Sequence, residues 1–283
     1  KIQVIATRSC FKHFYSTFTD SKECIKDVVL LLPGKQEELR VVGGNFTIRP
    51  IPAYHQDLGE GDCAGLVIEV NDKHGQESHE FKSILGMTGD TVWTTTLARD
   101  LAECAVVCMN MGALIDVRKG ASFEEFFCDP GAVKKLIYEQ NHLYLPGTLT
   151  LLQELSQKGR AQLAVIGELG EELKSGLRED LFYSINDFLT RLGTCHKRTP
   201  IKALMEDIGL TISWEQGSGE PQVRCARCKR PFPATEVQLK VTEDERKSEQ
   251  LNYYCPDCKD KIEWLEKGDD EKWKRRYWPR VAR

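Results

Sequence analysis

No apolar run in this chain approaches the roughly 20 residues that a membrane-crossing helix requires, and no secretory leader is visible at its start. A membrane partner is therefore not expected. An excess of charge of one sign is also missing: 39 basic residues face 43 acidic ones, for a net charge of −4. That excludes a global pull toward nucleic acid or an anionic surface, so any such role must rest on a local patch. The chain begins at Lys1 rather than at a methionine, and it shows no internal repeat. Seven of the eleven cysteines (Cys10, Cys24, Cys63, Cys104, Cys108, Cys128 and Cys195) lack any paired spacing. Scattered thiols inside apolar segments argue against a disulfide-built secreted protein and for a reducing, cytoplasmic setting.

What is present is an ordinary globular composition. The 283 residues are 41% hydrophobic and 29% charged, enough for one large domain and a small one. "KIQVIAT" (1–7) reads as a strand, and "SKECIKDVVLLL" (21–32) is mixed enough to be a helix. Residues 39–87 alternate as an antiparallel meander of about four strands. The texture then changes to alternating helix and strand: a helix over 94–103, a buried strand over 104–110, a helix over 147–157 and a buried strand over 162–167. A long helix follows over 170–192, with a possible break at Gly176. A meander followed by alternating α and β indicates an α/β layered domain. The polar stretch "EQGSGEPQ" (215–222) reads as a linker, so the expected division is 1–214, then 223–283.

The second unit carries "CARC" (225–228) and "CPDC" (255–258). Two residues between cysteines let a tight knuckle aim both sulfurs at one ion, so Cys225, Cys228, Cys255 and Cys258 fit a closed four-thiolate zinc site. A unit this small has little core, and zinc can supply its folding energy. Two redox dithiols are the competing reading. The segment 240–250 reads as a solvated hairpin tip. Arg224, Arg227, Lys229 and Arg230 surround the first knuckle, and Lys274, Arg275 and Arg276 lie in a basic tail that also holds Trp273, Tyr277 and Trp278. Cations interleaved with aromatics suit phosphate contact and base stacking in nucleic acid. A solvated charged face is the alternative, favoured by the acidic "GDDEK" beside the tail.

Four apolar strands end on a side chain able to bind a metal. "FTIRPIPAYHQD" ends on His55 and Asp57, "SILGMTGD" on Asp90, and "LAVIGELGEE" on Glu168, with Glu171 and Glu172 beyond it; "KKLIYEQNHLYLPG" places His142 just ahead of a helix. Strands of one sheet can deliver such ends to one edge, where imidazole and carboxylate donors match divalent metals. Taken singly, each has a plainer reading: a turn aspartate, a hydrogen-bonded rim histidine, or acidic residues favoured at a helix N-terminus.

In their order, "IPAYH", "GMTGDT" and "AVIGELGEEL" resemble the second half of a metallo-β-lactamase-fold hydrolase, over about residues 1–195. "NHLYLPGTLTLLQEL" resembles the histidine-plus-helix element of the nuclease branch, which includes the transfer-RNA 3′-processing enzymes. The resemblance implies an α/β fold, an αββα layered sandwich, incomplete or degenerate here, with the zinc ribbon outside it. The family's H-x-H-x-D-H signature is absent from this chain, which suggests a start mid-domain or a lineage that lost the motif. A chain without it is expected to bind metal weakly and to leave a sheet edge and an apolar face to be covered by a preceding segment, another chain or self-association. Glu168 stands where histidine is common. By the resemblance, one or two divalent ions (zinc or manganese) would activate a hydroxide against a phosphodiester or an acyl carbon. Asp90 would bridge them, His55 and Glu168 would each ligate one, His142 would act as general acid, and Asp57 would orient His55. The alternative is an inactive scaffold that uses its ribbon to bind nucleic acid or a protein partner.

Overall fold

The computed structural model describes residues 2–17, 25–31, 39–40, 46–55, 63–70, 83–112, 114, 142–169, 176–206, 210–214, 220–243 and 249–259. The chain opens with strand β1 (Ile2–Thr7), helix α1 (Arg8–Thr17) and strand β2 (Ile25–Leu31), and β1 and β2 pair in parallel. The helix read over 21–32 is thus corrected to a strand in its described part. Val28 and Val29 are β-branched within a continuous apolar run, which suits a paired strand better than a helix. The helix lies instead over 8–17, where Phe11, Phe14 and Tyr15 recur at i, i+3 and i+4 and the Phe11 and Tyr15 rings stand 5.5 Å apart.

A separate sheet of seven strands forms the centre: β3 (Leu39–Arg40), β4 (Phe46–Pro52), β5 (Ala64–Val70), β6 (Ser83–Met87), β7 (Val106–Gly112), β8 (Leu163–Leu169) and β9 (Lys202–Met205), side by side in sequence order. The first four are the expected antiparallel meander, whereas β6 through β9 run parallel. Among the described residues β3 pairs with Thr47 and Ile48 of β4.

Each parallel step crosses over through a helix: α2 (Thr95–Leu101), α3 (Tyr144–Lys158) and α4 (Gly176–His196). The last of these starts at Gly176, the point where the sequence suggested a break. The segment 170–175, with Glu171 and Glu172, lies outside the described residues. The three helices pack side by side on one sheet face. Met109, Ile166 and Met205 form one fully buried row across β7, β8 and β9, and Leu151, Leu152, Phe182 and Leu189 are equally buried on the helices. Burying each such side chain stabilises the fold by about 1.5–3 kcal/mol. A Cβ on Gly86 would strike Leu101 of α2, so Gly86 faces the helices and its neighbours face away. On that opposite face Leu66, Ile68 and Leu85 are half-buried and Met87 is 39% exposed.

Strands β10 (Ile212–Trp214), β11 (Pro221–Arg224) and β12 (Pro231–Pro233) form a small antiparallel sheet, and β13 (Gln238–Glu243) pairs with β14 (Glu249–Tyr254) ahead of the short helix α5 (Pro256–Lys259). Of the expected linker 215–222, Pro221 and Gln222 lie in β11, paired with Trp214 and Ser213. The hairpin expected around 240–250 is β13–β14, with residues 244–248 outside those described.

A free strand edge invites stray pairing. The free edge of β9 is filled from within the chain. The Asn186 carboxamide donates to Ala203 O at 3.0 Å and accepts from Ala203 N at 2.9 Å. The Tyr253 hydroxyl, from β14, accepts from Met205 N at 2.7 Å and donates to Met205 O. Tyr183 of α4 also donates to Leu239 O of β13 at 3.0 Å. The cysteine-bearing unit is therefore docked on the outer edge of the main sheet.

Candidate metal centre

Strand direction assembles the site. Both β4 and β6 are antiparallel to β5, so they run the same way, and β7, β8 and β9 are parallel to β6. Five strands therefore end at one edge of the sheet. His55 follows β4, Asp90 follows β6, and Glu168 lies near the end of β8, while His142 enters from the β7–β8 crossover just ahead of α3.

Backbone and hydroxyl bonds knit these ends together. Thr91 Oγ1 accepts from Tyr54 N at 2.9 Å, and Val92 N donates to Tyr54 O at 3.0 Å, which ties the His55 segment to the Asp90 segment. Thr88 is fully buried; its N donates to Cys108 O at 3.0 Å and its hydroxyl accepts from Asn110 N at 3.1 Å. Between them Gly89 takes φ +62°, and a Cβ there would lie 2.8 Å from Ala64 O. Only glycine makes this turn cheaply, which explains why a strand stops on Thr-Gly and presents a carboxylate next. Gly89→Ala is expected to cost about 2–4 kcal/mol, combining left-handed strain with a clash against backbone. Urea unfolding would measure it, and a loss under about 0.5 kcal/mol would contradict this account of the turn.

The ligand atoms of Asp90, His142 and Glu168 all lie within 4.8 Å of one another. The His55 ring stands edge-on to the His142 ring at 5.4 Å. The Nδ1 atoms of His55 and His142 are buried and make no hydrogen bond; His142 Nδ1 comes only to 3.6 Å from the Glu168 carboxylate. Among the described residues the mutually close ligand group is therefore Asp90, His142 and Glu168, and His55 stands beside it rather than in it. Buried polar atoms are rarely left unpaired, and an imidazole nitrogen with two carboxylates suits zinc or manganese.

Protonation follows from the surroundings. Burial opposes the charge on Asp90, but hydrogen bonds from Asn110 (Nδ2 to Oδ1, 2.8 Å) and Glu168, with His142 and His55 nearby, hold its pKa below the usual carboxylate value. Glu168 goes the other way: burial, its bond to Asp90, and the charges of Asp90 and Glu206 push it up to about 7. Burial also lowers the His142 pKa, outweighing the pull of Asp90. Asp90 is thus the firmer carboxylate of the pair and Glu168 the more easily protonated one, and burial favours the neutral imidazole of His142, the form that ligates metal.

The other cluster is the four cysteines. Their sulfurs lie within 4.8 Å of one another, and Cys228 Sγ is 3.8 Å from Cys255 Sγ. Zinc–sulfur bonds of about 2.3 Å place tetrahedral sulfurs about 3.8 Å apart. Cys225 N donates to Arg230 O and Lys229 N to Cys225 O, both at 3.0 Å, with Lys229 at φ +60°, which closes the first knuckle. Burial resists ionisation of Cys225, but backbone N–H groups around its sulfur bring its pKa down to about 6, whereas burial and neighbouring thiols push Cys255 up to about 12. Cys225 is therefore the sulfur most ready to ionise and begin zinc binding. The cluster fits a zinc ribbon.

Arg227, Lys229 and Arg230 are exposed on that knuckle. Asp57 and Lys274, Arg275 and Arg276 lie outside the described residues. Sequence reasoning missed Asn110, which orients Asp90, and Glu206, which accepts from Glu168 N at 3.3 Å. Asn110 is the one polar side chain in the otherwise apolar strand β7, and a lone polar residue in such a strand is the signal that points to it.

No family model and no curated protein matches the chain. Solved structures do. YhfI, a metallo-β-lactamase-fold protein from Bacillus subtilis, is 10% identical with a TM-score of 0.42, over 72% of this chain and 62% of its own. Zn(2+)-bound PqqB from Methylobacterium extorquens is 13% identical with a TM-score of 0.47, over 75% and 62%. Igni18, a metallo hydrolase from the hyperthermophilic archaeon Ignicoccus hospitalis, is 14% identical with a TM-score of 0.40, over 75% and 68%. The chain thus spans 62% of the length of the first two. The likeness is to the metallo-β-lactamase fold, and at such identity it concerns the fold alone. Of the αββα layers, the described residues form one large sheet with its helix layer, and β1, α1 and β2 form a small sheet apart.

Proposed function

We propose that the protein is a metal-dependent hydrolase of phosphodiester bonds, with a divalent ion held by Asp90, His142 and Glu168 and with His55 beside them. The observation that carries this reading is the convergence of Asp90, His142 and Glu168, whose ligand atoms lie within 4.8 Å of one another, with buried Nδ1 atoms on His142 and the neighbouring His55 that make no hydrogen bond. A divalent metal bound there supplies Lewis acidity toward a phosphoryl oxygen. Asp90 is the anchor, kept ionised and oriented by Asn110. His142 serves better as a ligand than as a general acid, because its lowered pKa leaves it without a proton to give at neutral pH.

A phosphodiester substrate, and within that class a nucleic acid, is supported by the cations on the exposed knuckle, Arg227, Lys229 and Arg230. A second reading, an inactive scaffold, is favoured by one observation: the ribbon is used internally, as the clasp on β9. Metal analysis and turnover separate the two. The hydrolase should carry about two metal equivalents per chain, one in the ribbon and one at the imidazole–carboxylate cluster. It should also cleave bis(p-nitrophenyl) phosphate and single-stranded oligonucleotides with zinc or manganese. Metal in the ribbon alone, with no cleavage of either, would establish the scaffold.

A further inference from the structure

Glu168 is a donor held in an uncommon backbone state, φ +51° in a non-glycine residue. Such a conformation persists only where its surroundings impose it. The ladder between β8 and β9 runs regularly up to Glu206 N, which donates to Ile166 O at 2.8 Å. The next rung is of a different kind. Glu168 N donates not to a β9 carbonyl but to Oε2 of the Glu206 side chain, at 3.3 Å. Glu206 reaches that position by folding back over Gly167: a Cβ on Gly167 would collide with Glu206 Oε2 and lie 3.0 Å from its Cδ. The glycine leaves the slot, the carboxylate fills it, and the N–H of the following residue is captured.

We propose that Glu206 is a positioning residue for the metal centre: it takes the Glu168 N–H, fixes the left-handed backbone there, and so aims the Glu168 carboxylate at Asp90 and His142. This deepens the metal-site reading above and rests on it only for the consequence in metal affinity. The strand that presents Glu206 is itself pinned one residue earlier, where the Tyr253 hydroxyl bonds both Met205 N and Met205 O. Tyr253 lies two residues before the zinc-site Cys255. The ribbon thereby sets the position from which Glu206 acts.

The test uses protein holding one zinc equivalent per chain, enough for the four cysteines alone, in four forms: wild type, Glu206→Gln, Glu206→Ala and Gly167→Ala. Two quantities are read, hydrogen-exchange protection of the Glu168 amide without added metal, and the affinity for Mn²⁺ by calorimetry. Glu206→Gln keeps an acceptor oxygen and should retain wild-type protection and most of the affinity. Glu206→Ala and Gly167→Ala should each lose about tenfold in protection, and Mn²⁺ affinity should fall about tenfold or more, as for other groups that orient a ligand. The double variant should be no worse than either single one, because both remove the same contact. Unchanged protection in Glu206→Ala, or equal losses in the Gln and Ala variants, overturns the proposal. If the wild type takes up no Mn²⁺ while protection follows the expected order, the metal-site reading fails and the positioning role stands.

Discussion

Replacing Cys255 with serine is expected to lower the melting temperature of the whole protein by about 10 °C, not merely to unfold a small appendage. Three thiols cannot complete the closed site, so the ribbon loses the ion that supplies its folding energy. The consequence reaches the main sheet through β14, where Tyr253 shields the edge of β9. With the ribbon loosened, the N–H and C=O of Met205, a fully buried residue, lose their partner. A buried backbone group left unpaired costs about 1–3 kcal/mol, and for large domains each kcal/mol moves the melting temperature by about 2–4 °C. The ring contact of Phe182 with Tyr253 and the Tyr183 bond to Leu239 would be lost as well. Thermal unfolding followed by circular dichroism, for Cys255→Ser and for wild type stripped of zinc, should show matching drops. Tyr253→Phe separates the two steps: it keeps zinc and should still lose part of the stability, since the ring stays and only the hydroxyl goes. A main-domain transition that is the same in all of these proteins would mean that the ribbon hangs free of the sheet.

How much of this was legible in the residues depends on whether the cause is local. The four-cysteine site was, because knuckle spacing is a local geometric requirement and nothing distant can alter it. The meander over 39–87 and the helices and strands from 94 onward were legible from periodicity. The first segment was misjudged where periodicity is ambiguous: 21–32 is a short apolar run whose strand state is decided by pairing with Ile2–Thr7, a partner that propensity does not see. At the candidate metal site, His55, Asp90, His142 and Glu168 were identifiable as strand-end or helix-entry side chains. Their convergence follows from a directional fact, that β4 and β6 run the same way because β5 turns back between them. Glu206 was invisible for a different reason. Its significance lies in a side chain folded over the missing Cβ of Gly167, two strands' worth of chain apart, and no spacing rule encodes that. The seating of the ribbon on β9 was likewise hidden, since Tyr253 reads in sequence as one aromatic among several.

Asp90→Asn should abolish metal uptake at the imidazole–carboxylate cluster while leaving the fold intact. Asp90 is the group on which the others converge: Asn110 donates to it, Glu168 hydrogen-bonds with it, and His142 and His55 lower its pKa by their proximity. The substitution keeps shape and removes charge. Even groups that only orient a ligand cost about 10–100-fold in metal affinity when lost, so removing the central carboxylate should cost at least about a hundredfold, and turnover on a phosphodiester should fall with it. Stability should move little. In the metal-free protein burial, then the bond to Asp90 and the charges of Asp90 and Glu206, push Glu168 up to about 7, and the variant removes the Asp90 charge from that set. The Glu168 pKa should therefore drop part of the way, which a carbon-13 carboxyl titration would detect. This second readout ties the effect to the cluster rather than to general damage, because a merely disrupted turn would expose Glu168 without the specific dependence on the Asp90 charge. Calorimetry showing wild-type Mn²⁺ affinity in Asp90→Asn would reduce the Thr88–Gly89–Asp90 turn to a plain sheet corner, and with it would go the assignment of hydrolysis to this edge of the sheet.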